Sequence, residues 1–373
     1  MINEFKLESY FSKYEFSAPY LLCSSDSESW SMKEILDMAS EDDLKMWNNL
    51  NLGYTEDKGL PELRDAIIKQ DFPNLNSNNI LCFAGAEEGI FCTLTAILDK
   101  NDHAIVLTPC YQSLAEIPKF RGAEVTGIEL LEQNNWRIDI DAIASAIKPN
   151  TKIVIINFPH NPTGQVITTN EQNALIKLLR KHDLWLFSDE VYRLLGSPTE
   201  GWSPTAANIY EKAISLGVTS KAYGLPGLRI GWIACQDQNI INKILKIKHY
   251  TTICNSAPSE ILSLIALNNA ATILNRNNQL VASNIKLLDK FIERHSDILS
   301  WVKPQGGCIG FVKYLGDRKI DDFCNELVIK QGVLLLPASA YSYNSQHFRI
   351  GFGRKNMPEA LEKFEAFLVN ELM

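Results

Sequence analysis

The sequence predicts an α/β protein, with a larger domain built on a mainly parallel sheet and a smaller α+β domain after it. Three observations carry that reading. Short, bounded runs rich in β-branched and aromatic residues recur through the middle of the chain, helix-like patterns separate them, and the texture changes after about residue 270.

In chain order the expected strands are "HAIVLTP" (103–109), "KIVIINFP" (152–159), "LWLFSDE" (184–190), "AISLGVTS" (213–220) and "RIGWIAC" (229–235). Nearly continuous apolar runs of this length suit strands buried on both faces, as in a parallel sheet covered by helices. Helices are expected at "EEGIFCTLTAILDK" (87–100) and "NEQNALIKLLRKHD" (170–183). Past residue 270 a long polar–apolar helix pattern (274–297) leads to "GGCIGFVKYL" (306–315), "GVLLLPA" (332–338) and "HFRIGFG" (347–353), strand candidates set between helices. The division that follows is a large domain over 46–270 and a small one over 271–373, with an N-terminal segment, 1–45, packing on the small domain.

At 373 residues and 46% hydrophobic, the chain has enough apolar surface for a sizeable core. The start, "MINEFKLESYFSKYEF", mixes charges with aromatics, and no uncharged run reaches the roughly 18 residues that a membrane span needs. A net charge of −8 without a basic stripe argues against a nucleic-acid surface. The eight cysteines are scattered with no C-x-x-C pair, which points to neither a metal site nor a disulfide framework and fits a reducing cytoplasm. No strand is followed by G-x-G-x-x-G or a Walker motif, which excludes a nucleotide-binding reading.

In open α/β sheets, ligands bind beyond the carboxyl ends of the strands, and the unusual polar groups of this chain lie there. "PHNPTG" places Asn161 on a turn between two prolines, and "SDEVY" ends a strand with Asp189 and follows it with Tyr192. "TSKAYGLPGLRIGW" sets Lys221 among small residues, with Ser220 before it and Arg229 after it. Each has an ordinary reading as a turn amide, a cap or a surface lysine. Together they match one cofactor, pyridoxal phosphate (PLP), which needs a lysine to form an imine, an acid facing the pyridine nitrogen, donors to the phenolate oxygen and an anion site for the phosphate. "FAGAEEGIF" supplies that last site. Gly85 and Ala86 precede a helix, so the N–H groups of Ala86 and Glu87 face an anion at its N-terminus, and Ser220 and Arg229 add a hydroxyl and a guanidinium.

The motifs, in order, resemble those of the class I/II aminotransferases of the aspartate-aminotransferase superfamily, the fold-type I PLP enzymes, from about Asn51 to Arg354. The resemblance implies a three-layer PLP-transferase-like large domain and an amino acid and a 2-oxo acid as substrates. It also implies roles for residues that the spacing alone leaves silent. Tyr54, in "GYTEDKGLPELRDAI", would reach the phosphate of a neighbouring subunit, which makes a homodimer with composite sites. Tyr111, in "TPCYQSL", would stack on the cofactor. Asn161 and Tyr192 would contact its phenolate oxygen, and Arg349, in "FRIGFGR", would bind the substrate carboxylate next to Asn161. Lys221, Asp189 and Tyr192 form the catalytic set. Val218 stands where many relatives have Ser or Thr. "LLCSSDSESWS" (21–31) differs from the usual glycine-rich substrate loop and is faintly similar to the capreomycidine-synthase-like branch. Asp26 and Glu28 in that loop are candidates for recognising a basic side chain, and His160 for lining the pocket. A lyase or cyclase remains the alternative within PLP enzymes, because these motifs specify the cofactor and not the fate of the carbanion. A PLP-bound regulator would carry a helix-turn-helix, for which residues 1–45 are too few and too aromatic.

Overall fold

The computed structural model describes residues 2–371. Its central sheet has seven strands: β1 (Ile80–Phe83), β2 (His103–Thr108), β3 (Glu124–Glu129), β4 (Thr151–Asn157), β5 (Trp185–Asp189), β6 (Ala213–Val218) and β7 (Gly231–Cys235), in the order β1-β7-β6-β5-β4-β2-β3. Every neighbouring pair from β6 to β3 is parallel, while β7 runs antiparallel to both β6 and β1.

The side chains explain why the expected strands read as continuous apolar runs. Along β4, Ile153 and Ile155 pack on one face with Ile90 and Leu94 of the helix Ala86–Ile97 and Ile244 of Gln238–Lys248. Val154 and Ile156 pack on the other with Leu175 and Leu179 of Thr169–His182 and Ile143 of Ile140–Ala146. Both faces are covered, so alternation is lost and three layers result. The helix Thr169–His182 is bounded by a capping box, in which Thr168 accepts from the Glu171 amide and Glu171 accepts from Thr168, and it ends at Asp183 in the left-handed region.

A second sheet has four antiparallel strands, β8 (Leu299–Trp301), β9 (Ile309–Tyr314), β10 (Leu336–Pro337) and β11 (His347–Gly351), in the order β10-β11-β9-β8. The helix expected at 274–297 spans Ala270–Arg294, and the strand expected over 332–338 is reduced to two residues. The N-terminal helix Lys6–Tyr14 buries Leu7 against Val328, Leu334 and Leu336, while the Tyr20 carbonyl accepts from the Leu334 amide.

Sheet direction decides where chemistry collects. The carboxyl ends of β1, β2, β4, β5 and β6 share one edge, and β7, running the other way, begins there. Gly231 pairs with both Phe83 and Val218, so the segments after β1 and β6 and the one before β7 meet at a single point.

Candidate active site

That edge opens into a cavity of ≈ 450 Å³ whose walls include Ala86, Glu87, Tyr111, Asn161, Asp189, Tyr192, Ser220, Lys221, Arg229 and Arg349. The volume falls in the range of cofactor and substrate sites.

Three adjacent turns form its floor. After β4, Asn157 accepts from the Asn161 amide through Oδ1 (2.8 Å) and donates from Nδ2 to the Asp189 carbonyl (3.0 Å), which ties the Asn161 turn to the end of β5. Asp189 accepts from the Val191 amide (3.2 Å). Burial pushes its carboxyl up to about 7, against the pull of that amide and of Lys221. After β6, Lys221 donates to Ser25 Oγ at 2.9 Å, and its Nζ lies 5.6 Å from the centre of the Tyr192 ring. Burial also holds the Lys221 amine below the ordinary lysine range, which favours the neutral, nucleophilic form.

One end of the cavity is built for an anion. Gly85 caps the helix Ala86–Ile97 at φ +87°, and the first-turn N–H groups of that helix have no intrahelical acceptor. Arg229, itself left-handed at φ 51°, packs across Gly85 so closely that a Cβ there would lie 2.2 Å from its Nη2. Gly231 is equally confined, since its Cβ would lie 2.8 Å from the Ala86 nitrogen. The Ser220 hydroxyl, in the same corner, is buried without a hydrogen-bond partner among the described residues. A backbone nest, a guanidinium and an orphaned hydroxyl fit a phosphate group. Gly85→Ala combines a positive φ with a steric collision and is expected to weaken PLP binding by ten- to a hundredfold, for about 1–3 kcal/mol of strain. Equilibrium dialysis of the cofactor checks this, and wild-type affinity would argue against the anion site.

At the opposite end, Arg349 is buried at 2% exposure. Its Nε donates to the Cys23 carbonyl (3.0 Å) and its Nη1 to Tyr341 Oη (2.8 Å) and Asn161 Oδ1 (3.3 Å), while the Tyr341 hydroxyl donates to Asn161 Oδ1 (2.8 Å). Nη2 has no protein partner among the described residues, which leaves one edge of the guanidinium for a carboxylate.

Tyr54 stands apart. It is 91% exposed and lies outside the cavity of its own chain. Asp26 lines the cavity, but its carboxylate is paired with Arg354 at 2.8 Å, and Glu28 accepts from the Lys355 amide outside it. Neither is a free anion for a basic side chain. His160 does not line the cavity either. Its Nδ1 bonds Thr163 Oγ1 at 2.8 Å, and burial lowers its pKa to about 3, so it is a neutral support of the turn.

Sequence reasoning missed several wall residues. Asn157 lay in view at the end of an expected strand. Leu7 and Phe11, one turn apart on an amphipathic helix, line the cavity from a part of the N-terminal segment that carried no expected contact with the ligand. Ser25 belongs to the N-terminal loop already singled out for substrate recognition, and Tyr341, which does not line the cavity but accepts from Arg349 Nη1, carries no local signal.

The chain is similar to known proteins of one family. The family model for aminotransferase class I and II matches residues 23–364. The crystal structure of a PLP-dependent aminotransferase from Streptococcus suis superposes with a TM-score of 0.93 at 30% identity, covering 99% of this chain and 98% of the other. Capreomycidine synthase of Streptomyces vinaceus is 25% identical over 268 residues, 72% of this chain and 68% of that one. Aspartate aminotransferase of Bacillus subtilis is 26% identical over 342 residues, 87% of this chain and 86% of that one.

Proposed function

The chain belongs to the class I and II aminotransferases and is a PLP-dependent transaminase, and from that premise we propose that it moves the amino group of an amino acid to a 2-oxo acid by way of Lys221. The observation that carries the assignment of residues is the convergence of Lys221, Asp189, Asn161, Arg229 and Arg349 on one cavity. PLP, when bound, supplies an electron sink for the carbanion formed at the substrate α-carbon.

The residues divide the remaining work. Arg229, Ser220 and the amides of Ala86 and Glu87 would hold the phosphate, and Gly85 leaves them room. Asp189 would hold a proton on the ring nitrogen, Asn161 Nδ2 and the Tyr192 hydroxyl would donate to the phenolate oxygen, and Tyr111 would cover the ring. Arg349 orients the substrate carboxylate, which fixes the direction of the α C–H bond. Lys221 Nζ, when free, would take the α-proton and deliver it to the cofactor carbon. The large domain spans 46–270 and the small one 271–373, with 1–45 an N-terminal segment that touches both, and the enzyme serves a biosynthetic route in the cytoplasm.

The test is stoichiometry. A donor that changes the absorbance of the PLP-loaded protein should yield one 2-oxo acid per amino group passed to the acceptor. The similarity to capreomycidine synthase supports a second reading, a PLP-dependent lyase or cyclase. Ammonia or a cyclised product without an acceptor requirement would favour it.

The exposure of Tyr54 supports a homodimer in which its hydroxyl completes the phosphate site of the partner. Mixing Tyr54→Phe with Lys221→Ala is then expected to give hybrids with one site carrying both lesions and one carrying neither, so activity rises above that of either parent. A fully active monomer in sedimentation would end this assembly.

A further inference from the structure

We propose that Ser25 is a positioning residue for Lys221, and that its hydroxyl holds the ε-amine on the substrate side of the cavity whenever the lysine is free. The proposal rests on the assignment of Lys221 as the amine that carries the reaction.

The N-terminal segment is fixed to the lysine at two points. The Ser27 amide donates to the Lys221 carbonyl (3.3 Å), and Lys221 Nζ donates to Ser25 Oγ (2.9 Å), so backbone and side chain of one residue grip a single short stretch. That stretch is itself immobilised. The Glu28 amide donates to the Gly353 carbonyl (2.8 Å), Arg276 Nη2 donates to the Glu28 carbonyl (2.5 Å), and Arg354 pairs with Asp26. Gly351 and Gly353 let the backbone pass, since a Cβ on either would lie 2.1 Å from the Ser24 carbonyl oxygen or 2.5 Å from that of Asp26. Ser25 lies in the cavity wall and accepts the only hydrogen bond that the ammonium donates among the described residues.

A lysine side chain has four rotatable carbons and a terminal group that hydrogen-bonds in any direction, so a fixed acceptor defines where the amine rests. The groups facing Nζ are the acids Asp26 and Asp189, the guanidinium of Arg349, the Cys308 thiol and the Tyr192 ring, and none of them accepts a hydrogen bond from it. The Ser25 oxygen also stabilises the ammonium over the neutral amine, because a hydrogen bond to an ionised donor is the stronger one. Losing the hydroxyl therefore has two consequences. The amine becomes neutral at lower pH, and it loses its station near the α-proton.

The experiment compares Ser25→Ala and Ser25→Thr with wild type. PLP is added back to protein stripped of it, and the pH at which half of it becomes lysine-bound is read by absorbance. Ser25→Ala is expected to shift that midpoint to lower pH and to reduce kcat by about tenfold, with KM for the donor nearly unchanged. Ser25→Thr, which keeps the hydroxyl, is expected to restore both. An unmoved midpoint with wild-type kcat in Ser25→Ala overturns the proposal, and so do equal losses in the two variants, which would make shape the cause. Wild-type protein that never attaches PLP would instead overturn the assignment of Lys221 itself.

Discussion

Lys221→Ala abolishes turnover, to a level at least on the order of 10⁴-fold below wild type, and removes the absorbance of lysine-bound PLP, while the protein stays folded. The loss is expected to be this large because one group performs two tasks, holding the cofactor covalently and moving the α-proton. Folding should survive. Among the described residues Nζ bonds only Ser25 Oγ, and the backbone carbonyl that receives the Ser27 and Gly224 amides is unaltered. The variant also separates Lys221, half-buried in the cavity wall, from the buried lysine Lys248. That residue is fully buried, and its amine too is held below the usual range, so a lowered pKa alone does not distinguish the two. Position does. Lys248 donates to the Asp57 carbonyl (2.5 Å) and does not line the cavity. Absorbance spectra and initial rates of the purified variant check the prediction, and a persisting lysine-bound band would transfer the role to another amine.

What the sequence disclosed about the fold followed from burial. β2, β4, β5, β6 and β7 carry nearly continuous apolar runs because helices cover both faces, and such runs stand out. β1 is only Ile80–Phe83, too short to stand out, and it was passed over. β3, "EVTGIE", lies at the sheet edge with Glu124 and Glu129 exposed, so neither face gave it an apolar signature. The same division holds in the cavity. Asn161, Asp189, Ser220 and Lys221 sit next to strand ends in sequence, and their grouping follows from one rule about parallel sheets. The N-terminal segment had no such rule. Asp26 is a plain loop acid in the sequence and becomes half of an ion pair only because Arg354, far along the chain, is folded against it. Glu28 is taken up by the Lys355 amide in the same way, and the contact of Ser25 with Lys221 joins residues 196 apart. Tertiary pairing decides what these side chains do, and nothing local announces it.

Asp189→Asn separates the electronic role of the acid from its place in the fold. The carboxylate is expected to keep a proton on the ring nitrogen of bound PLP, and an amide of the same shape does not. Activity should fall on the order of 10²–10³-fold, about 3–4 kcal/mol of barrier at roughly 1.4 kcal/mol per decade, with PLP still bound. Stability against pH gives a second reading that needs no turnover. Burial raises Asp189 from the ordinary aspartate value to about 7, with Glu190 and Glu87 adding to the shift and the Val191 amide and Lys221 opposing it. Without cofactor, the folded protein therefore holds a proton at Asp189 between about pH 4 and 7 that the unfolded chain has already released. Stability from this group is complete below the unfolded value and is lost as pH rises through about 7. Asp71, Glu190, Glu260 and Glu87 are buried with their pKa values raised too and act in the same direction, so the difference between wild type and variant is the informative quantity. Cofactor-free Asp189→Asn should show a shallower fall in Tm over that window. A cation opposite Asp189 reverses the preference, so PLP should raise the Tm of wild type more at pH 8 than at pH 5, and the variant should show no such increase. Parallel Tm profiles together with wild-type kcat would mean that Asp189 does not face the ring nitrogen.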